Sequence, residues 1–211
     1  MKEVRIITRE DTKDFILNIH YAHRMPSISF SFGLYENNEL VGVCTYGTPA
    51  SSTLLRGVCG EEYKGIVKEL NRLVLKNNKK NEASYFVSRT LKMLPSPLII
   101  VSYADTAQDH NGIIYQATNF KYAGLSTKFK DPKVKGLEHQ HHATYAKGMT
   151  NKQLKEKYGD RLYFVERSRK HRYLYFIGSK VERKKMLKAL NYKIIDFPVK
   201  YVIQAIMEKL K

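Results

Sequence analysis

Five residues stand where the pattern of the chain changes, and their types suit acid–base chemistry: His20, Tyr21, Arg72, Asp105 and Tyr115. Asp105 closes the apolar run "LIIVSYAD", and Tyr115 follows ten residues later in "NGIIYQATN". In open α/β sheets, sites form at the carboxyl ends of strands, where the chain turns into the next helix. A carboxylate at such a place costs burial free energy unless something pairs with it, and Arg72 of "KELNRLVL" is the candidate partner. The Tyr115 hydroxyl is expected to point back over the same strand end. His20 and Tyr21 close the first helix in "NIHYAHR". Together these side chains make an acid–base site, or a metal site with His20 and Asp105 among the ligands. Each also has a structural reading: an aspartate after a strand is often a helix cap, and a tyrosine on a short helix is often core.

The "HQHH" stretch offers His139, His141 and His142 as a second metal candidate, but it is polar and without period, and nucleic-acid-binding loops use histidine as well. Cys44 and Cys59 fit neither a zinc spacing nor a disulfide framework and read as packed thiols in a reducing compartment. There is no Walker lysine loop and no G-x-G-x-x-G, which disfavours a nucleotide-phosphate cradle.

The elements that must hold these residues follow from periodicity. "EVRIITRE" reads as a strand and "TKDFILNIHYA" as a helix opening on a threonine cap. "SISFSFGLYENNELVGVCTYG" is a hairpin turning at "ENNE", and "IVKELNRLVLKN" is a further strand. "SYFVSRTLKML" has helical spacing, "SPLIIVSYAD" is a buried strand, "NGIIYQATN" a helix and "FKYAGLSTKF" another strand. Beyond residue 127, "KFKDPKVKGLEHQHHATYAKG" shows no convincing period. "TNKQLKEKYGD" is a short capped helix ending at glycine, "RYLYFIG" a strand and "SKVERKKMLKALN" a basic amphipathic helix. The final "YKIIDFPVKYVIQAIMEKLK" is expected to cover a sheet edge or the core. The reading is one mixed α/β domain, with a catalytic body over residues 1–127 and a basic elaboration over residues 128–211.

Charge divides the chain in a similar place. Residues 1–120 carry 14 basic and 12 acidic side chains, whereas residues 121–211 carry 23 and 8. A near-neutral half beside a strongly basic one points to a surface for a polyanion. Arg167, Arg169, Lys170 and Arg172 in "ERSRKHR" are the candidate DNA-binding residues. No run reaches the ~20 apolar residues of a membrane span. The opening "MKEVRIITREDTKDF" is unlike a signal or transit peptide. A cytoplasmic protein with no membrane partner is expected, its oligomeric state left open.

The order strand, helix, hairpin, strand, helix, strand, helix, strand resembles the GNAT acyltransferase fold, a mixed central sheet flanked by helices. In that fold a tyrosine on the helix after the fifth strand often serves as general acid, and Tyr115 matches its position. More specifically, "HY" at 20–21, "ELNRL" at 69–73, "VSYADT" at 101–106 and "IYQATNF" at 114–120 are similar to the phage Mom family, with "SRKHRYLYFIG" a weaker echo. Such proteins modify adenine in phage DNA at N6 with a methylcarbamoyl (acetamide-type) group that blocks restriction enzymes. The resemblance runs from about residue 15 to 125 and makes His20, Tyr21, Arg72, Asp105 and Tyr115 the functional residues, with double-stranded DNA as partner.

The resemblance implies a transferase that brings an electrophile to a weakly nucleophilic amine and removes a proton as the bond forms. Asp105 would orient the amine, Tyr115 donate or relay a proton, and His20 act as base or metal ligand. Arg72 would hold the donor or pin Asp105. The base must leave the duplex stack, and Tyr21 and Tyr103 could stack on it, although Tyr103 also reads as core. The donor is unknown, with a metal ion such as iron a candidate helper. Acetyl-CoA is disfavoured, because "NNKKNEAS" stands where GNAT enzymes carry a glycine-rich pyrophosphate loop. The competing classes are a non-catalytic nucleic-acid-binding protein on the same scaffold and an ordinary N-acyltransferase.

Overall fold

The computed structural model describes residues 2–140 and 142–197. Strand β1 (Lys2–Ile6) pairs antiparallel with β2 (Phe30–Glu36), which pairs with β3 (Glu39–Gly47). Asn37 and Asn38 both adopt positive φ, as the "ENNE" hairpin turn requires. Helix α1 (Ser52–Cys59) precedes β4 (Val67–Leu75), which pairs antiparallel with β3. Then come α2 (Glu82–Met93), β5 (Leu98–Asp105), α3 (Ile113–Ala117) and β6 (Lys121–Leu125). Strand β7 (Phe129–Val134), α4 (His142–Ala146), α5 (Asn151–Tyr158) and β8 (Leu162–Arg167) form an excursion. The chain returns through β9 (Lys170–Ile177) and α6 (Lys180–Lys188).

The main sheet has the order β1-β2-β3-β4-β5-β9-β6, with β4 and β5 its parallel pair. This is the mixed, helix-flanked sheet that the element order implied. Strand β5 reads as an unbroken apolar run because both of its faces are covered. Ile100 and Ala104 join Leu70, Phe86, Tyr115 and Tyr173 on the face under α2 and α3. Ile99 and Val101 join Val58, Cys59, Leu174 and Met186 on the face under α1 and α6. Both cysteines are buried free thiols.

Strands β7 and β8 make a separate two-stranded ribbon, on which Val134, Tyr145, Ala146 and Leu154 form a small core. Reciprocal capping at Thr150 and Ser179 sets the starts of α5 and α6, each cap contributing about 1 kcal/mol. Ile195 extends the edge at β6 through its N–H to the Tyr122 carbonyl, and Phe197 stacks on Tyr122 and Tyr173. The rest of the tail expected to cover the sheet, from residue 198 onward, lies outside the described residues. So do His141 and the side chain of His142.

Two expectations are corrected. The first helix is instead a 3-10 turn at Glu10–Thr12 and a π-helical turn at Phe15–Ile19. The wider turn buries Phe15 and Ile16 against Val43 and Val74, while His20 already has extended geometry. The stretch "FKDPKV" is a strand after all: Pro132 and Val134 alternate inward, and lysines occupy two of the other four places. Helix α1, within "SSTLLRGVC", was not anticipated.

Candidate active site in the wedge between β4 and β5

Pairing between β4 and β5 ends at Leu70 opposite Ser102, although β4 runs on to Leu75 and β5 to Asp105. The strands part there, and the opening is a cleft of about 450 Å³. Its lining includes His20, Tyr21, Arg72 and Tyr115, so four of the five expected residues meet in one place. Tyr103 lines it too, together with Gln108 and His110 from the loop after β5.

Tyr115 owes its position to Gly112, whose φ of 77° starts α3 directly over the Tyr173 ring. A Cβ at Gly112 would stand 2.3 Å from that ring, so a side chain there is excluded. The Tyr115 ring packs at 5.2 Å from Phe120 and 5.0 Å from Tyr173. Burial pushes its hydroxyl far above the ordinary tyrosine range, with Ser102 pulling weakly the other way. Tyr115 is therefore a proton-bearing donor.

His20 is fixed by its neighbours on both sides. Its ring stacks on Tyr21 at 4.3 Å, and its Nδ1 accepts the backbone N–H of Ala22 at 3.0 Å. Burial, and then the positive fields of Arg72, His23 and His110, lower its pKa to about 4. A neutral imidazole whose Nδ1 lone pair is used must carry its proton on Nε2. His20 is thus neutral, with an Nε2–H left to donate.

Arg72 spends two donor bonds on the carbonyls of Asn71 and Arg24, at 2.6 and 2.8 Å. Its Nε is buried with no hydrogen-bond partner among the described residues. Burial lowers its pKa, but a guanidinium starts so high that it stays charged. It presents a cation with spare donors to the cleft.

Asp105 departs from the expectation. Its carboxylate accepts from the Ser168 hydroxyl at 2.7 Å and the Ala107 N–H at 3.0 Å, and pairs with Lys170 at 3.3 Å. The expected Arg72–Asp105 pair does not form, since alternation along β5 turns Asp105 to the face opposite Ser102 and Ala104. Burial alone would raise the carboxyl, but Ser168, Ala107 and Lys170 outweigh it and hold it below the usual range. Asp105 is a clasp: Thr106 adds bonds from its N–H and hydroxyl to the Arg169 carbonyl, fixing the turn Thr106–Gln108 beside the cleft.

A metal held by His20 and Asp105 does not fit this arrangement. Ligation through Nε2 would place the ring proton on Nδ1, facing the Ala22 N–H, and Asp105 is committed elsewhere. Acetyl-CoA fits no better. At the start of α2, where a pyrophosphate would need free N–H groups, the Glu82 carboxylate already sits, its side chain 3% exposed. It accepts the Lys79 N–H at 3.3 Å and pairs with Lys2 at 2.6 Å.

The four basic residues expected to grip DNA are tied internally. Arg167 makes a two-pronged bond to Asp131 at 2.8 and 2.6 Å, and Arg169 donates to the Ser126 carbonyl at 2.6 Å. Lys170 faces Asp105, and the Arg172 guanidinium lies 4.0 Å over the Tyr192 ring. The residues that sequence reasoning passed over are His110, Gln108 and Glu69. The polar run "TAQDHNG" straight after a strand end was the available signal for the first two. Glu69 lies one step before the wedge on the Tyr103 face, where burial raises its carboxyl while Lys170 and Arg72 pull it down.

Residues 2–198 match the family model described as the Mom protein family. The methylcarbamoylase mom of Escherichia phage Mu is 30% identical over 131 residues, which cover 58% of this chain and 54% of that protein. The match thus spans about half the length of that relative. Among solved structures, the Bacillus subtilis acetyltransferase in complex with CoA is 13% identical with a TM-score of 0.48, covering 84% of this chain and 99% of its own. NAA60 of Arabidopsis thaliana in complex with acetyl-CoA is 12% identical with a TM-score of 0.48, covering 84% of this chain and 100% of its own.

Proposed function

This chain belongs to the Mom protein family, and we propose that it is a DNA-modifying transferase that places a methylcarbamoyl (acetamide-type) group on N6 of adenine. The consequence would be protection of the DNA from restriction, exerted in the cytoplasm of a host cell. Among the described residues no helix is long and apolar enough to cross a membrane. The observation that carries the reading is the convergence of His20, Tyr21, Arg72 and Tyr115 on one cleft at the parting of β4 and β5.

The chemistry follows from the protonation states. Tyr115 and His20 both present hydrogen-bond donors, and an amide carbonyl on the transferred group is what two neutral donors can orient and polarise. Arg72 supplies a fixed cation for a negative group on the donor. Tyr21 is 50% exposed and stacked on His20, so its ring offers a face to a base swung out of the helix. Asp105 acts through the turn it clasps and is a positioning residue. In the reaction the N6–H bond is replaced by an N6–C bond, and the proton leaves with the donor's departing group or to solvent.

The test is the nucleoside content of DNA from bacteria that express the protein. A deoxyadenosine heavier by the transferred group is expected by mass spectrometry. Unmodified deoxyadenosine alone, with soluble folded protein confirmed, would refute the enzymatic reading.

A further inference from the structure

A second cavity, of about 680 Å³, opens at the root of the β7–β8 ribbon. Ala107 lines it, while the next residue, Gln108, lines the cleft. One turn of chain, the one clasped by Asp105, therefore separates the two hollows. The lining of the second is basic and aromatic: Lys128, Phe129 and Lys130 face Arg167 and Arg169, and Glu166 is its one acidic residue. Arg167 and Arg169 are held by internal bonds, but the side-chain amines of Lys128 and Lys130 have no hydrogen-bond or ion-pair partner among the described residues, although Glu166 stands opposite Lys130 in the ladder. Phe129 is 57% exposed, with the Arg167 guanidinium 5.2 Å from its ring centre. A cation thus lies against a ring that is more than half exposed.

We propose that this cavity seats the nucleotide flanking the one that enters the cleft, with its base stacked on Phe129 and its phosphate held by Lys128 and Lys130. The inference rests on the DNA reading above and names where the strand runs. Two unpaired lysines beside an exposed ring are the combination that retains single-stranded nucleic acid, since the cations track the backbone and any base can stack. A strand whose base is swung out needs its neighbours held, or the base falls back into the stack. The volume suits one nucleotide, within the roughly 300–1,000 Å³ of small-ligand pockets. Crossing the Thr106–Gln108 turn then carries the strand from this seat to the cleft.

The experiment is fluorescence anisotropy of the full chain with a fluorescein-labelled single-stranded deoxyoligonucleotide containing one adenine, over a series of salt concentrations. The joint change Lys128→Gln and Lys130→Gln should weaken binding about tenfold and make the salt slope shallower by roughly 0.7 per lost phosphate contact. Phe129→Ala should weaken binding about tenfold with the slope unchanged, and Phe129→Tyr should restore it. Lys152→Gln with Lys155→Gln, on α5, should bind as the unaltered protein does. If the unaltered protein binds DNA and the Lys128/Lys130 and Phe129 variants match it, the seat is refuted and the DNA reading stands. If the unaltered protein retains neither single-stranded nor duplex DNA, both fail.

Discussion

Asp105 and Tyr115, ten residues apart in the chain, stand on opposite faces of β5. Ser102 and Ala104 share their face with Tyr115, and Asp105 alternates away from them to meet Ser168 and Lys170. Two residues that a linear reading joins into one catalytic pair are thereby given different work. Tyr115 reaches the cleft, and Asp105 holds the loop that frames it.

If Asp105 is a clasp, Asp105→Asn keeps an acceptor for Ser168 and Ala107 and should retain most of the modification activity. Asp105→Ala, which removes the cap, should lower stability by about 1 kcal/mol and reduce modification with it. Thermal melts paired with nucleoside mass spectrometry decide this. An Asn variant with an unchanged melt and no activity would return Asp105 to the chemistry. Because its carboxyl is held low, its stabilising contribution is present above the ordinary aspartate range and lost as pH falls through the lowered value. The Asn variant should lack that acid-sensitive component.

His20 should titrate near pH 4 by NMR, with the neutral ring protonated on Nε2. The fold favours the uncharged ring, so stability should fall as pH drops from about 6.5 towards about 4, where the unfolded chain binds the extra proton. A midpoint near the ordinary histidine value, or a proton on Nδ1, would remove the donor role. His20→Gln, which keeps an N–H donor, should retain more activity than His20→Ala.

Tyr115→Phe should abolish modification, by at least about 100-fold, as expected for a group donating in the transition state. The ring's packing is unchanged by the substitution, so the melting temperature should move little. Equal activity in the Phe variant would leave Tyr115 as core alone.

Acetyl-CoA, titrated to millimolar concentration, should leave the melting curve unmoved, because the Glu82 carboxylate holds the start of α2. Glu82→Ala strands the Lys79 N–H and leaves Lys2, 31% exposed, to solvent, and should cost about 1–2 kcal/mol. A clear stabilisation by acetyl-CoA would overturn this account of the helix start.

Arg172→Ala should destabilise the fold by about 1 kcal/mol through loss of the cation over Tyr192, with DNA retention unchanged. Loss of DNA binding without loss of stability would mean the guanidinium leaves that ring to meet a phosphate.

Much of this was legible before any coordinates. Local signals carried the "ENNE" turn, the helices begun within "TNKQLKEKYGD" and "SKVERKKMLKALN" and the strand that ends at Asp105, because each depends on residues within a few positions. His20 closes its helical turn, while Arg72 lies within β4 and Tyr115 within α3, and the wedge gathers all three. What failed was partner choice. Arg167 finds Asp131 across 36 residues and Asp105 finds Ser168 across 63, and neither pairing leaves a trace in the local pattern. Basic side chains that look free in the sequence are spent inside the fold, while Lys128 and Lys130 drew no notice.

The place of β9 has a consequence for the order in which the molecule can assemble. It lies between β5 and β6, yet more than forty residues of ribbon separate it from β6 in the chain. Until Lys170–Ile177 arrive, the inner edges of β5 and β6 carry unpaired backbone groups, the kind of open edge at which chains associate wrongly. Long-range closure of this sort is slow compared with hairpin formation, so β1–β4 can form early while the sheet waits. The end rung of this pairing is Asp105 opposite Lys170, and closing it fixes the turn that separates the two hollows. A folding intermediate lacking β9 would have the helix that carries Tyr115 but no wall between cleft and second cavity, and it would expose a sticky strand. Expression at lower temperature should therefore raise the soluble yield more than it raises the activity of each folded molecule.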